Sequence, residues 1–297
     1  MSGRPRLFLV DGSSYVFRAF YALPPLTGPG GRPTHAIYGF TAMLLRLLRE
    51  QAPEYAGVVF DSEGPTERHL AFEAYKAQRP PTPEALTAQL PDIRRVVAGL
   101  CLPAVAEPGQ EADDLLGSLA VRAEQAGFDV VLVTADKDLC QVVGPHIRLY
   151  DSMRERWTGE AEVRERFGVP PAAVPEVLGL MGDSVDNIPG VPGVGEKTAK
   201  PLIAEFGSIE NLLARLSEVK RPRLREALAA YAEQARLSRT LATIRTDLPI
   251  PFEPGTFRRR PPDVAALTTL FRALGFHRLL EATAQGELPG LPAGRTS

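Results

Sequence analysis

Leu7-Phe8-Leu9-Val10-Asp11 is the stretch on which the fold turns: four apolar residues closed by an acid. The same grammar returns as Gly57-Val58-Val59-Phe60-Asp61, and again as Val130-Val131-Leu132-Val133 followed by Thr134-Ala135-Asp136-Lys137-Asp138. Runs this short suit strands buried on both faces better than buried helices. Between them lie stretches of helical period at 34–50, 84–100 and 113–126, the last stopped by Gly127 where a C-terminal cap belongs. Strands alternating with helices predict an α/β fold, a mainly parallel sheet flanked by helices. After about Val169 the strand signal disappears, and Pro170, Pro171 and Pro175 open a region of short helices rich in Ala, Leu and Arg. A boundary is placed there, giving domains 1–170 and 171–297. One more amphipathic helix is expected at 263–274, past Arg258-Arg259-Arg260, and 289–297 read as frayed.

The whole chain has 297 residues, 44% hydrophobic and 24% charged, with 28 prolines and a formal charge of −2. Such a mixture can bury a sizeable core, which excludes general disorder and collagen-like repetition. Near-neutrality by itself announces no nucleic-acid partner. No apolar run approaches the ~18–20 residues of a membrane span, and the N-terminus lacks a secretory pattern; a cytoplasmic protein with no membrane partner is expected. Cys101 and Cys140 lie outside any CxxC pair and read as buried thiols. His35, His69, His146 and His277 show no zinc-ligand spacing and read as surface or capping residues.

The informative feature is where the acids fall. Asp11, Asp61, Asp136 and Asp138 follow putative parallel strands, on the edge where open α/β sheets place their sites. Glu111, Asp113 and Asp114 open a helix, and Asp183 and Asp186 sit in Met-Gly-Asp-Ser-Val-Asp-Asn-Ile-Pro-Gly. Any one of them can be explained as a helix cap. Nine together cannot, because carboxylates ~4 Å apart repel by about 4 kcal/mol per pair at an effective dielectric near 20. Such a cluster calls for cations. Oxygen-only ligands favour Mg²⁺ or Mn²⁺, and two such ions can activate a water and stabilise the leaving oxygen of a phosphodiester. With those nine set aside, the rest of the chain is net basic.

Six stretches then carry a family resemblance: 10–20 (Val-Asp-Gly-Ser-Ser-Tyr-Val-Phe-Arg-Ala-Phe), 58–61 (Val-Val-Phe-Asp), 75–80 (Tyr-Lys-x-x-Arg-Pro), 111–114 (Glu-Ala-Asp-Asp), 134–138 (Thr-Ala-Asp-Lys-Asp) and 181–199. In this order they resemble the 5′ nuclease domain of bacterial DNA polymerase I, of the superfamily that includes phage 5′ exonucleases and flap endonucleases. The resemblance, over about 6–285, implies a PIN-like nuclease core with a helical arch at about 62–100, and a helical DNA-binding region with a helix-hairpin-helix at about 183–215. It implies Asp11, Asp61, Glu111 and Asp113 around a first metal with Asp114 beside them, and Asp136, Asp138 and Asp183 around a second, with Asp186 reaching it directly or through water. It also implies a K⁺ ion at the hairpin, a DNA polymerase as fused or separate partner, and a monomer. Whether the chain is free-standing or the front of a polymerase is left open.

The DNA contacts follow. Gly190-Val-Pro-Gly-Val-Gly-Glu-Lys-Thr-Ala fails as a P-loop by one residue, since Glu196 separates Gly195 from Lys197, and no strand precedes it. A hairpin whose Gly193 and Gly195 bring backbone N–H groups to a phosphate, with Lys197 adding charge, is the better reading. In the arch, Lys76 and Arg79 are expected on phosphate and Tyr75 to stack or pack. Arg18 is expected at the scissile phosphate and Phe17 on the terminal base. Members of the family commonly carry an aromatic before the arch arginine; here Glu67 precedes Arg68, which leaves that arginine without an assigned role. Arg215, Lys220, Arg221, Arg223 and Arg225 read as solvated surface or a duplex contact. The activity implied is metal-dependent 5′-3′ exonuclease and 5′ flap endonuclease action on DNA with a nick, a flap or a free 5′ end, and on RNA-primed DNA, in replication and repair. The rivals are a haloacid-dehalogenase-like phosphatase, whose first Asp would have to follow its strand directly, and a non-catalytic DNA-binding module on the same scaffold.

Overall fold

The computed structural model describes residues 3–62 and 64–290. Six strands form one sheet: β1 Arg6–Asp11, β2 Tyr55–Val59, β3 Ala104–Val105, β4 Asp129–Val133, β5 Ile147–Asp151 and β6 Arg156–Thr158. Their order is β3-β2-β1-β4-β5-β6, parallel throughout except for β6 at the edge. The three apolar runs are thus the three central strands. Arg148, exposed between Ile147 and Leu149, breaks the apolar run of β5 and hid it from a sequence reading. The chain leaves β1 for β2 on one side and later pairs β4 on the other, so the crossover direction reverses at β1/β4. That reversal is the topological switch point, where the crevice of an open sheet lies.

Alternation along β1 splits the core in two. Leu7 and Leu9 point into a core shared with the helix Ala112–Gln125 and the helical region out to Ile250. Phe8 and Val10 point the other way, against the helices Gly12–Ala22, His35–Gln51 and Leu90–Gly99. The second core also holds Leu267, Leu270, Phe271 and Leu274 from the helix Val264–Leu274. The segment 264–288 therefore packs against the sheet and not within the helical region that precedes it. The reason is the apolar face of the helix Val264–Leu274, which packs on Leu90–Gly99; Leu267 lies where a Cβ on Gly99 would be 2.6 Å away.

The stretch expected as one helix at 84–100 is two, Glu84–Thr87 and Leu90–Gly99, with Pro91 in the first turn of the second. The arch region contains a five-residue helix, Glu67–Ala71, and then turns through 73–79. It lies down on the loop 183–188: the Lys76 N–H donates to the Asp186 carbonyl at 2.9 Å, and Asn187 Nδ2 to the Ala74 carbonyl at 2.6 Å. Among the histidines, His69 caps its helix with Thr66, as expected of a capping residue, whereas His35 is buried against Phe20. Cys140 is a buried thiol; Cys101 is half-buried. No helix among the described residues is long and apolar enough to cross a membrane.

Candidate functional site

At the switch point Asp11 ends β1 and begins the next helix, its Oδ1 accepting from the Ser14 N–H at 2.8 Å and its Oδ2 from the Thr134 hydroxyl at 2.9 Å. Thr134 Oγ1 in turn accepts from the Asp136 N–H at 3.1 Å, so one residue past β4 sets two carboxylates across the crevice. Asp61 Oδ1 accepts from the Ala112 N–H at 2.8 Å, tying the end of β2 to the start of the helix that carries Asp113. The acids raise one another's proton affinity. Burial, and after it the charges of Asp61 and Asp136, push Asp11 up to about 7 against the hydrogen bonds from Ser14 and Thr134. Burial together with Asp136, Asp11 and Asp61 holds Asp113 well above the carboxylate range. Burial and Asp136, opposed by Lys137, push Asp138 up to about 7, with Asp183 and Asp186 adding to the effect. Seven of the nine acids expected at the site, Asp11, Asp61, Asp113, Asp136, Asp138, Asp183 and Asp186, therefore share one field.

Glu111 joins them through cations. Lys76 Nζ lies 2.9 Å from Glu111 Oε2 and 3.8 Å from Asp186, while Thr66 and Tyr75 donate to the same carboxylate. Against the upward push of burial, Lys76 and then Arg68 hold Glu111 below its usual range. On the other flank Lys137 bridges Asp183 and Asp138, the latter at 3.5 Å. Lys137 was not singled out from sequence, although its place between two acids was the available signal; Thr66 and Thr134 carried none. Lys76 and Asn187 both adopt the left-handed backbone region, at φ 55° each, a strain of roughly 1–2 kcal/mol per residue that persists where surrounding contacts impose it. Among the described residues no three His, Cys, Asp or Glu side chains close on one point as a finished cage. Asp138 Oδ1, however, is buried with no hydrogen-bond partner.

Asp114 is held differently from the other acids. Both its oxygens are taken, by Arg68 at 2.6 and 2.8 Å and by the Arg245 N–H at 2.8 Å, and the carboxylate is 3% exposed. It serves as counter-ion to Arg68, which also reaches Glu111 at 3.4 Å and donates to the Leu241 and Thr243 carbonyls. That gives Arg68 a role: it pins the base of the arch to the end of the helix Ala232–Ala242. Tyr75, at 2% exposed, packs and cannot stack on a base; its hydroxyl serves Glu111 and Asp186. Arg79 pairs with Asp186. Arg18 lies on the same sheet edge but is paired with Asp151 at 3.3 Å, at the end of β5. Phe17 is 40% exposed and lines a cleft beside Asp61.

Farther out, Gly182 and Gly190 stand back to back, and a Cβ on Gly190 would meet the Gly182 nitrogen at 2.3 Å. This pinch, with φ 73° and 61°, turns the chain from the helix Val174–Met181 into the loop of Asp183 and Asp186 and out again toward the helix Glu196–Phe206. Gly193 and Gly195 have open space where a Cβ would be, and Lys197 is exposed. Of the basic run, Arg215 pairs with Glu218 at 2.6 Å, while Lys220, Arg221, Arg223 and Arg225 are exposed without an ion pair among the described residues.

The family model for the 5′-3′ exonuclease N-terminal resolvase-like domain matches residues 6–168, and that for the 5′-3′ exonuclease C-terminal SAM fold matches 169–265. The chain belongs to the 5′-3′ exonuclease family. Within it, the 5′-3′ exonuclease of Aquifex aeolicus is 38% identical over 275 residues, covering 93% of this chain and 94% of its own. DNA polymerase I of Bacillus caldotenax is 43% identical over 283 residues, 94% of this chain but 32% of its own length; the chain spans about a third of the polymerase relatives it matches. The fold is shared with the T5 D15 protein crystallised with metal ions, at TM-score 0.70 and 19% identity over 94% of this chain and 99% of that one. It is also shared with the catalytic core of Rad2 in complex with DNA substrate, at TM-score 0.66 and 16% identity over 96% and 92%.

Proposed function

We propose that the chain is a metal-dependent 5′-3′ exonuclease and structure-specific 5′ flap endonuclease, hydrolysing phosphodiesters of DNA, and of RNA primers, at flaps, nicks and free 5′ ends. The observation that carries the reading is a field of mutually repelling carboxylates at the switch point, with a buried Asp138 oxygen that has Lys137 at 3.5 Å but no hydrogen-bond partner among the described residues. The donor set is all oxygen, which fits hard divalent ions, Mg²⁺ or Mn²⁺. In this reading Asp11, Asp61, Glu111 and Asp113 hold one ion and Asp136, Asp138, Asp183 and Asp186 the other; Asp114 is not among them. Two divalent ions there would supply an activated water and charge stabilisation at the leaving oxygen.

The chain's own residues do the positioning. Thr134 holds Asp11 and Asp136 at a fixed spacing, and Asp11 and Asp138, pushed up to about 7, give up protons when the site is loaded. Lys76 and Lys137, once the acids they bridge are neutralised otherwise, are free to turn their ammonium groups to the scissile phosphate. Arg79 and Arg18 add charge at the rim, and Phe17 offers its exposed ring to a base. Gly193, Gly195 and Lys197 grip a duplex phosphate, with K⁺ held at the same hairpin. That the T5 protein was crystallised with metal ions and Rad2 with DNA substrate supports the reading. The polymerase relatives support a DNA polymerase as partner, fused or separate, and a cytoplasmic role in replication and repair. The test is a 5′-labelled flap incubated with the protein in Mg²⁺ and in EDTA. Cleavage near the junction in Mg²⁺ only is expected; flap binding without cleavage would replace the enzyme by a binding module.

A further inference from the structure

Four acids of the switch point have a carboxylate oxygen fixed by a backbone N–H: Asp11 by Ser14, Asp61 by Ala112 and Asp136 by Asp138, each at 2.8 Å, and Asp183 by Val185 at 2.9 Å. Among the described residues no backbone N–H does this for Asp138, whose buried Oδ1 has Lys137 at 3.5 Å and no hydrogen-bond partner. Its carboxylate is therefore placed chiefly by the backbone that carries it. That backbone opens a 3₁₀ turn, Asp138–Val142, in which side chains three apart eclipse. The residue three beyond Asp138 is Gln141. Its Nε2 donates to the Asp138 carbonyl at 2.9 Å and to the Ala242 carbonyl at 3.0 Å, and its Oε1 accepts from the Ile244 N–H at 2.9 Å. Both donors of the amide and its oxygen are thus committed.

Ala242 ends the helix Ala232–Ala242, where the last carbonyls lack partners within the helix. Gln141 takes the Ala242 carbonyl, and Arg68 takes those of Leu241 and Thr243 on either side at 2.9 and 2.6 Å. Earlier on the same helix, Ser238 Oγ accepts from the Gly190 N–H at 3.0 Å and Gln234 Nε2 donates to the Gly190 carbonyl at 2.6 Å. One helix therefore touches the arch base, the hairpin and the turn of Asp138. We propose that Gln141 is a positioning residue for the second metal ion, fixing the Asp138 turn against that helix so that the carboxylate stands where the ion needs it. The proposal rests on the nuclease reading above and adds the residue through which the helical region sets one of the acids. Contacts behind a metal ligand commonly change metal affinity by about 10–100-fold.

The test follows melting temperature against Mg²⁺ concentration without DNA, beside anisotropy of a labelled 5′ flap in EDTA. Gln141→Met keeps the length of the side chain and removes all three hydrogen bonds. It should need about tenfold more Mg²⁺ for the half-maximal rise in melting temperature, while binding the flap in EDTA as the wild-type protein does. Gln141→Asn, an amide one methylene too short to span both carbonyls, should shift the Mg²⁺ midpoint in the same direction and is the variant to read if Gln141→Met does not fold. A folded variant that melts lower in EDTA but keeps the wild-type Mg²⁺ midpoint makes Gln141 a structural residue only and overturns the proposal, with the nuclease reading intact. A wild-type protein whose melting ignores Mg²⁺ and which cleaves no flap strikes the nuclease reading instead.

Discussion

Asp113 and Asp114 are adjacent, and replacing each by Asn should move stability in opposite directions. Asp114 is 3% exposed, with Arg68 bound to both its oxygens at 2.6 and 2.8 Å. Asp114→Asn keeps the shape but leaves the Arg68 guanidinium, itself 12% exposed, facing an amide. Breaking a buried pair from one side costs about 3–5 kcal/mol. Glu111 at 3.4 Å from Arg68 remains to compensate in part, so the low end, about 3 kcal/mol, is expected, or roughly 6–12 °C in melting temperature at 2–4 °C per kcal/mol. Among the described residues Asp113 makes no such pair, and its proton affinity is raised by burial and by Asp136, Asp11 and Asp61. Asp113→Asn removes a charge that the folded protein resists above the unfolded pKa. It should raise the melting temperature in metal-free buffer near pH 8. Both variants should lose flap cleavage, Asp113→Asn at full stability and Asp114→Asn with a loosened arch. Calorimetry in EDTA beside a cleavage assay in Mg²⁺ separates them. Wild-type melting of Asp114→Asn with cleavage abolished would refute the counter-ion role and return Asp114 to the metal site.

In EDTA the protein should also become less stable as pH rises from about 4 to 7. Asp11 and Asp138, both pushed up to about 7, keep protons in the folded state that the unfolded chain has released. Melting curves across that window should show the decline, and millimolar Mg²⁺ near pH 8 should reverse it by mass action; a flat profile contradicts the shared field. Gly190→Ala, with its Cβ 2.3 Å from the Gly182 nitrogen at φ 61°, should disrupt the hairpin and expose it to proteolysis. Gly193→Ala, in open space at φ 77°, should cost only about 1–2 kcal/mol; equal sensitivity of the two would refute the pinch. Lys197→Ala should weaken duplex binding and reduce the log–log salt slope by about 0.9, read by anisotropy from low to moderate salt.

Local signals made much of this legible. The period of 3.6 and its caps placed helices at His35–Gln51, Ala112–Gln125 and Val264–Leu274 within a residue or two, with Gly127 in the left-handed region at φ 90° and Asp263 capping through its side chain. Asp11, Asp61, Asp136 and Asp138 meet because positions after parallel strands share one edge whatever the loops do; Asp113 on its helix and Asp183 and Asp186 in their loop join them through tertiary packing. Long-range packing was not legible: the return of 264–288 to the second core, the arch lying on the Asp186 loop, and Arg18 turning to Asp151 all depend on partners more than a hundred residues away.

Asp113 and Asp114 show where the line falls. The sequence by itself determined three central strands, the acids at their ends and the helix that opens at Ala112, because β-run length, helical period and capping are short-range properties. Two successive residues on a helix point about 100° apart, and no pattern within the chain says which of the two faces the crevice. Only the tertiary structure decided it, by bringing Arg68 and the Arg245 backbone to one carboxylate and Asp11, Asp61 and Asp136 to the other.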